Sequence, residues 1–235
     1  MTRAAERERE RILSEYDRRR REIGDDLYAL HRPANLFLRQ GQERALLRGL
    51  HAAGLAPLVG RSVLEIGCGE GRWLSFFENF GAAPTDVAGI DLDASRVDLC
   101  RRRHPEADIR LGDATELPWP DARFDVVFQS TVFTSILDVD VRRAVAAEMM
   151  RVLAPGGVIL WYDFHFDNPR NRNVRGVRRK ELAALFPGWR IDVERVTLAP
   201  PLARRIAGHA WWLASTLERL TLLNTHTFAV IRRSR

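Results

Sequence analysis

Between residues 62 and 164, short apolar runs alternate with stretches whose apolar residues return every three or four positions. Ser62 to Ile66, Val87 to Asp91, Asp108 to Leu111, Phe124 to Gln129 and Val158 to Phe164 read as strands. Arg72 to Phe80, Ala94 to Arg103 and Val141 to Leu153 read as amphipathic helices. Such alternation predicts parallel strands with helices on both faces of the sheet, because parallel neighbours need crossover connections. Ahead of this unit, residues 4 to 23 form a charged helical stretch with apolar positions only at Ile12, Leu13, Tyr16 and Ile23, a thin stripe that predicts light packing on the body. A second helix is expected from about Asn35 to Ala53, with Leu36, Leu46, Leu47 and Leu50 on its apolar face and Gly54 and Pro57 ending it. The last third reads as helix Arg179 to Phe186, strand Arg190 to Leu198, a single helix Leu202 to Leu220 and strand Thr225 to Ile231. The two late strands are expected at one edge of the same sheet.

Composition narrows the class. The 235 residues are 46% hydrophobic and 29% charged, enough for one sizeable core and too apolar for general disorder. The net charge of +6 raises the question of a nucleic-acid partner, but the arginines are dispersed along the chain and Lys180 is the only lysine. Such a uniform preference for Arg resembles a coding bias more than a selected binding face, which weighs against nucleic acid and keeps it as the runner-up partner. The charged N-terminal stretch lacks the apolar core of a signal peptide, and no apolar run is long enough to span a bilayer. The two cysteines, Cys68 and Cys100, form no CxxC or Cys/His pattern for zinc or a disulfide framework. A cytoplasmic protein without a metal is therefore expected.

The most informative segment is Val63-Leu64-Glu65-Ile66-Gly67-Cys68-Gly69-Glu70-Gly71, in which a strand runs into three glycines and a helix begins at once. Gly67 allows the tight turn, Gly69 lets a ligand approach the backbone, and Gly71 permits close packing of helix on strand. Twenty residues after Gly71, the strand Val87-Ala88-Gly89-Ile90-Asp91 ends in a carboxylate placed to accept from both hydroxyls of a ribose. Leu111-Gly112-Asp113-Ala114 ends the next strand with another acid. Pro155-Gly156-Gly157 reads as a helix stop and strand start.

Together with LGDATELPWPDARFDVVF and MMRVLAPGGVILWYDF, these segments resemble the successive signatures of class I S-adenosylmethionine-dependent methyltransferases, of the type 11-like small-molecule kind, over about residues 60 to 165. The resemblance implies a doubly wound, Rossmann-like α/β fold: a seven-stranded, mostly parallel sheet with its final strand antiparallel, helices on both faces and an N-terminal helical cap. It implies a cap over 1–55 and a core domain over 56–235, with acceptor-side insertions at 165–222. It also implies S-adenosylmethionine as cofactor, with S-adenosylhomocysteine as product. Glu65, Gly67, Cys68, Gly69 and Gly71 are then expected around the methionine portion, Asp91 on the ribose, Leu92 on the adenine, Asp113 and Ala114 beside the adenine amino edge, and Gln129 near the methyl group.

The acceptor is less legible. No Asn/Asp-Pro-Pro-aromatic motif follows the fourth strand, no Pro-Cys pair occurs, and no Asp/His cluster suggests a magnesium site. Loops at the carboxyl ends of strands form the ligand crevice in such sheets, which directs attention to Tyr162 to Gly176. There His165 is the candidate general base and Asp163 its partner or a base itself, while Asn168, Asn171, Asn173, Arg175 and Arg178 are candidate donors to a polar acceptor. Tyr16, Tyr28 and the Asn35–Leu36–Phe37 stretch are expected as covering contacts. Trp211 and Trp212 cannot both point into one core; core packing plus a lid is the leading expectation for them, and the alternatives for one of the two are the acceptor pocket, a contact between copies in a homodimer, or a membrane surface. The leading expectation is methylation of a hydroxyl oxygen on a small polar acceptor such as a sugar unit or natural-product intermediate. The alternatives are an RNA or protein methyltransferase, a noncatalytic S-adenosylmethionine-binding partner subunit, or a related reaction such as cyclisation on the same fold.

Overall fold

The computed structural model describes residues 3–22, 27, 29–168 and 171–234. Helices α1 (Arg3–Glu22) and α2 (Pro33–Ala52) precede the alternating unit β1 (Val63–Ile66), α3 (Arg72–Asn79), β2 (Val87–Asp91), α4 (Ala94–Arg103), β3 (Asp108–Leu111), β4 (Phe124–Ser130), α5 (Val139–Val152) and β5 (Leu153–Phe164). Then follow α6 (Arg179–Leu185), β6 (Trp189–Leu198), α7 (Pro200–Ile206), α8 (Trp211–Glu218) and β7 (Asn224–Arg233). The seven strands form one sheet in the order β3-β2-β1-β4-β5-β7-β6. The first five pair in parallel, and β7 runs antiparallel to both β5 and β6. Strand order reverses between β1 and β4, the switch point at which open sheets of this kind bind ligands beyond their carboxyl ends.

Alternation along the strands divides the core in two. Leu64, Ile66, Ile90, Val127 and Trp161 face one layer with α1, α5 and α6, whereas Val63, Val126, Phe128, Leu160 and Phe228 face the other with α2, α3 and α4. Close approach of α2 to the sheet depends on Gly49, where a Cβ would stand 2.6 Å from the Phe228 ring.

Several local expectations are corrected. The single helix Leu202–Leu220 is two, α7 and α8, separated by residues 207–210 around Gly208. Helix α5 begins two residues earlier because the Asp138 side chain accepts from the backbone N–H of Asp140 and Val141. Strand β5 begins at Leu153, since Leu153 pairs with Phe124 across an irregularity in register. On α2, Leu36 is exposed and Phe37 is buried in its place. Helix α1 is tied down mainly by polar bonds. Glu8 accepts from the backbone N–H of Leu137 and Asp138, Arg11 donates to the carbonyls of Ser135 and Asn173, and Arg20 pairs with Asp93. Ile23 and Tyr28 lie outside the described residues. Within 165–222, β6 belongs to the sheet itself, while α7 and α8 lie outside it. Among the described residues no helix is long and apolar enough to cross a membrane.

Candidate functional site

The turn after β1 is shaped by backbone bonds to the neighbouring strand. Gly67 N and Cys68 N both donate to Ile90 O, at 2.8 and 3.0 Å, and Gly69 N donates to Asp91 Oδ2 at 2.9 Å. Gly67, Gly69 and Gly71 take φ values of +69°, +53° and +83°, the left-handed region that side chains disfavour. Asp91 accepts further from Asp93 N at 2.9 Å. Each carboxylate oxygen has two lone-pair positions, so Asp91 retains capacity for a ligand's hydroxyls. Burial raises the Asp91 pKa, opposed by these backbone donors.

This turn borders a cavity of about 1000 Å³ at the carboxyl ends of the strands, roofed by α1 and α2. One end is lined by Ile66, Gly67, Asp91, Leu92, Asp113 and Ala114. Behind it lies Glu65, 2% exposed, whose Oε2 has no partner. Burial drives its pKa well up, against the pull of Arg72 and Arg39. Arg72 lines the cavity and keeps an exposed face to solvent, and desolvation of its cavity side lowers its pKa. Its guanidinium and that of Arg39 both stand over Trp73, at 5.1 and 5.2 Å from the ring centre. A buried unpaired carboxyl beside cavity-lining guanidiniums, then a carboxylate with free lone pairs, then an acid flanked by Leu92 and Ala114, suit a ligand with an α-amino acid head, a diol and a flat ring. Glu65, Cys68, Gly69, Gly71 and Gln129 do not themselves line the cavity. Cys68 is buried, and Gln129 spends its amide on Val132 N (3.0 Å) and Tyr162 O (3.4 Å).

The other end of the cavity is lined by Leu38, Phe164, Phe166, Thr197, Pro200, Pro201, Arg204 and His226, with Asn168 nearby, whereas Tyr16 lines the end that holds Asp91. Tyr16 comes from α1 and lies under Arg96, whose guanidinium carbon is 4.5 Å from the ring centre. His226 is buried, stacked on Tyr162 at 4.6 Å and against Phe164 at 3.9 Å, and burial pushes its pKa down to about 3. Its Nδ1 lies 3.0 Å from Thr225 Oγ1, and no hydrogen bond from the described residues engages Nε2. Below it, Gln42 donates to Tyr162 Oη, which bonds Thr197 Oγ1, each at 2.8 Å.

The proposed pair His165 and Asp163 does not line the cavity. His165 turns its ring toward Phe166, with Nδ1 buried and unpaired, and burial together with Arg195 lowers its pKa. Asp163 is fully buried and accepts from Thr134 N, Thr134 Oγ1 and Phe164 N, so it fixes Thr134 at the cavity wall. Desolvation pushes the Asp163 pKa up to about 7. Asn171, Asn173, Arg175 and Arg178 also lie off the cavity. Asn171 accepts from Asn173 N, Asn173 donates to Glu15 of α1, Arg175 pairs with Glu181, and Arg178 is exposed beside Asp167.

His226, Thr197, Arg72 and Gln42 were not foreseen. Arg72 follows Gly71 directly, a position that could have marked it. His226 is in phase with Phe228 and Val230, so it is a polar residue on the buried face of a strand at the strand's first turn.

A protein-family model described as a methyltransferase domain matches residues 63–157. The chain is 37% identical over 115 residues to a fatty-acid O-methyltransferase of Mycolicibacterium smegmatis, covering 47% of this chain and 40% of the relative. It is 33% identical over 141 residues to a demethylmenaquinone methyltransferase of Renibacterium salmoninarum, covering 60% of this chain and 56% of the relative. The chain thus spans about half the length of the curated relatives it matches. Among solved structures, phosphoethanolamine N-methyltransferase 1 of Haemonchus contortus, determined with phosphoethanolamine and S-adenosylhomocysteine, superposes with a TM-score of 0.67 at 16% identity, over 100% of this chain and 50% of that one. That likeness is one of fold.

Proposed function

The chain carries a class I S-adenosylmethionine-dependent methyltransferase domain, and from that premise we propose that it transfers the cofactor's methyl group to a hydroxyl oxygen of an amphipathic small molecule. The observation that carries this reading is the two-ended cavity. Its volume of about 1000 Å³ sits at the upper limit of single-ligand pockets, with cofactor-type groups at one end and Phe164, Phe166, Pro200, Pro201 and His226 at the other. When bound, S-adenosylmethionine supplies a methyl group already activated by its positive sulfur. What remains for the chain is alignment and exclusion of water. Glu65 and Arg72 hold the amino acid head, Asp91 the ribose hydroxyls and Asp113 the adenine edge. Helix α1 closes the roof, and Asp163 holds Thr134 in the wall. His226, kept neutral by burial, takes the acceptor's hydroxyl proton at Nε2. The protonated ether formed by transfer is so acidic that even a base of low pKa suffices. The apolar wall supports an acceptor less polar than a sugar, and the names of the relatives, a fatty-acid and a quinone methyltransferase, point the same way.

Titration calorimetry with S-adenosylmethionine and S-adenosylhomocysteine tests the premise, with Asp91→Ala and Asp113→Ala in parallel. Wild type should bind in the micromolar range and each variant at least about tenfold more weakly, a loss of about 1.4 kcal/mol. His226→Phe should keep cofactor affinity and lose turnover with hydroxylated amphipathic acceptors. No binding of either ligand to the wild type would sink the reading.

A further inference from the structure

Helices α7 and α8 and the turn Thr221–Leu223 form an excursion outside the sheet between β6 and β7. On it, Trp212 is 70% exposed, Leu220 55% and Leu222 86%. Trp211, 36% exposed, rests one edge on Phe37 at 5.2 Å between ring centres, next in sequence to the exposed Leu36. Isolated exposed apolar side chains are ordinary, but here several fall on consecutive turns of one segment, and α8 is only about 12 Å long. The segment's charges are one-sided. Its single acid, Glu218, is taken by Arg44 at 2.7 Å, whereas Arg204, Arg205 and Arg219 make no ion pair among the described residues.

We infer that this face docks on an anionic lipid surface, with Trp212 and Leu222 seated among the headgroups and Arg204, Arg205 and Arg219 on lipid phosphates. Indole rings favour the headgroup region because one edge is apolar and the N–H is a donor, and guanidiniums pair with phosphate in a two-pronged geometry. A second copy fits less well. An isologous contact would set three unpaired arginines against the same three, with no acid to offset them. The face is continuous with the cavity, since Pro200, Pro201 and Arg204 at its start line the acceptor end. If the methyl-transfer reading holds, a lipid-soluble acceptor could pass from bilayer to cavity without crossing water. The docking itself stands independently of that reading.

The test is co-sedimentation of the full chain with vesicles of equimolar phosphatidylglycerol and phosphatidylcholine, and with phosphatidylcholine alone, alongside the tryptophan emission spectrum. Wild type should bind the anionic vesicles with a blue-shifted emission, and the binding should weaken as salt rises. Trp212→Ser with Leu222→Ser should lose at least about tenfold in vesicle affinity, since both apolar side chains would no longer be withdrawn from water on docking. Its circular dichroism and S-adenosylhomocysteine affinity should match wild type, because both side chains are exposed. Arg205→Gln with Arg219→Gln should flatten the salt dependence. Vesicle binding by the serine variant equal to wild type would mean diffuse attraction of a basic chain and would overturn the inference. So would indifference of the wild type to both vesicles, or a dimer in sedimentation velocity that the serine variant dissolves.

Discussion

Gly69 and Gly71 both hold left-handed backbone, yet a side chain would meet different surroundings at each. At Gly69 an added Cβ has nothing within 4 Å, whereas at Gly71 it would stand 2.5 Å from the His104 ring and 2.8 Å from Cys100 Sγ. Gly69→Ala should therefore cost about 1–2 kcal/mol, the backbone strain alone, while Gly71→Ala should cost about 2–5 kcal/mol because overpacking adds to it. Urea denaturation of the two variants measures the difference. His226 leads to a prediction about acid. Its pKa is about 3 in the folded chain against 6.5 for the ordinary group, so between those values the unfolded chain takes up a proton that the folded one refuses. Stability is lost as pH falls below 6.5, by about 2 kcal/mol at pH 5, and His226→Phe should remove that part of the loss. Asp163, raised to about 7, acts in the opposite sense, losing stability as pH rises from about 4 to 7. Comparing wild type with His226→Phe across pH cancels its contribution. These two residues mark the limit of reading residues from sequence. Asp91, Leu92, Asp113 and Ala114 line one cavity, because strand ends in this fold point one way. His226 lies 135 residues beyond Asp91, in a strand with no motif, and only the antiparallel register of β7 on β5 carries it to Phe164.

At the scale of elements, α1 shows how a helix with a thin apolar stripe can still be firmly seated. Glu8 is buried and serves as acceptor for the backbone that leads into α5, so one carboxylate links the cavity's roof to its wall. Glu8→Ala should lower stability by about 1–2 kcal/mol, as loss of a helix cap does, and weaken S-adenosylhomocysteine binding several-fold. Chemical denaturation and calorimetry read the two effects. An unchanged affinity would make α1 a brace and not a cover. Hydrophobic spacing foretold α3, α4 and strands β1 to β4 to within a residue or two, and the central strands β1, β2 and β4 were the plainest because burial on both faces leaves apolar runs. It did not show the break between α7 and α8, where Ala207, Gly208 and Ala210 carry too little polarity to interrupt a helical pattern. Nor did it show the grip on α1, because Glu8, Arg11 and Arg20 look like any solvated helix face until their partners are placed.

For the whole molecule, the roofed cavity couples ligand to fold. A ligand that binds only the native state stabilises it by about 2.7 kcal/mol at a hundred times its dissociation constant. For a chain of this size that should raise the melting temperature by about 5–10 °C in S-adenosylhomocysteine, read by scanning fluorimetry, and Asp91→Ala should abolish the rise. The general architecture could be read in advance because consecutive strands and helices pack on one another in order. The exception is the end of the sheet, where chain order and spatial order part.

There β7, which follows β6 in sequence, lies between β5 and β6 and is the only strand paired with β6 among the described residues. During synthesis on a ribosome, β6 emerges with no strand to join, and β5 presents an open edge until about residue 233 has left the exit tunnel. Every nascent chain passes through a stage with the glycine turn and most of the cavity already translated but the sheet unfinished. Deleting β7, Asn224–Arg233, would thus remove two strands from the sheet and not one, leaving an exposed edge free to pair with other chains.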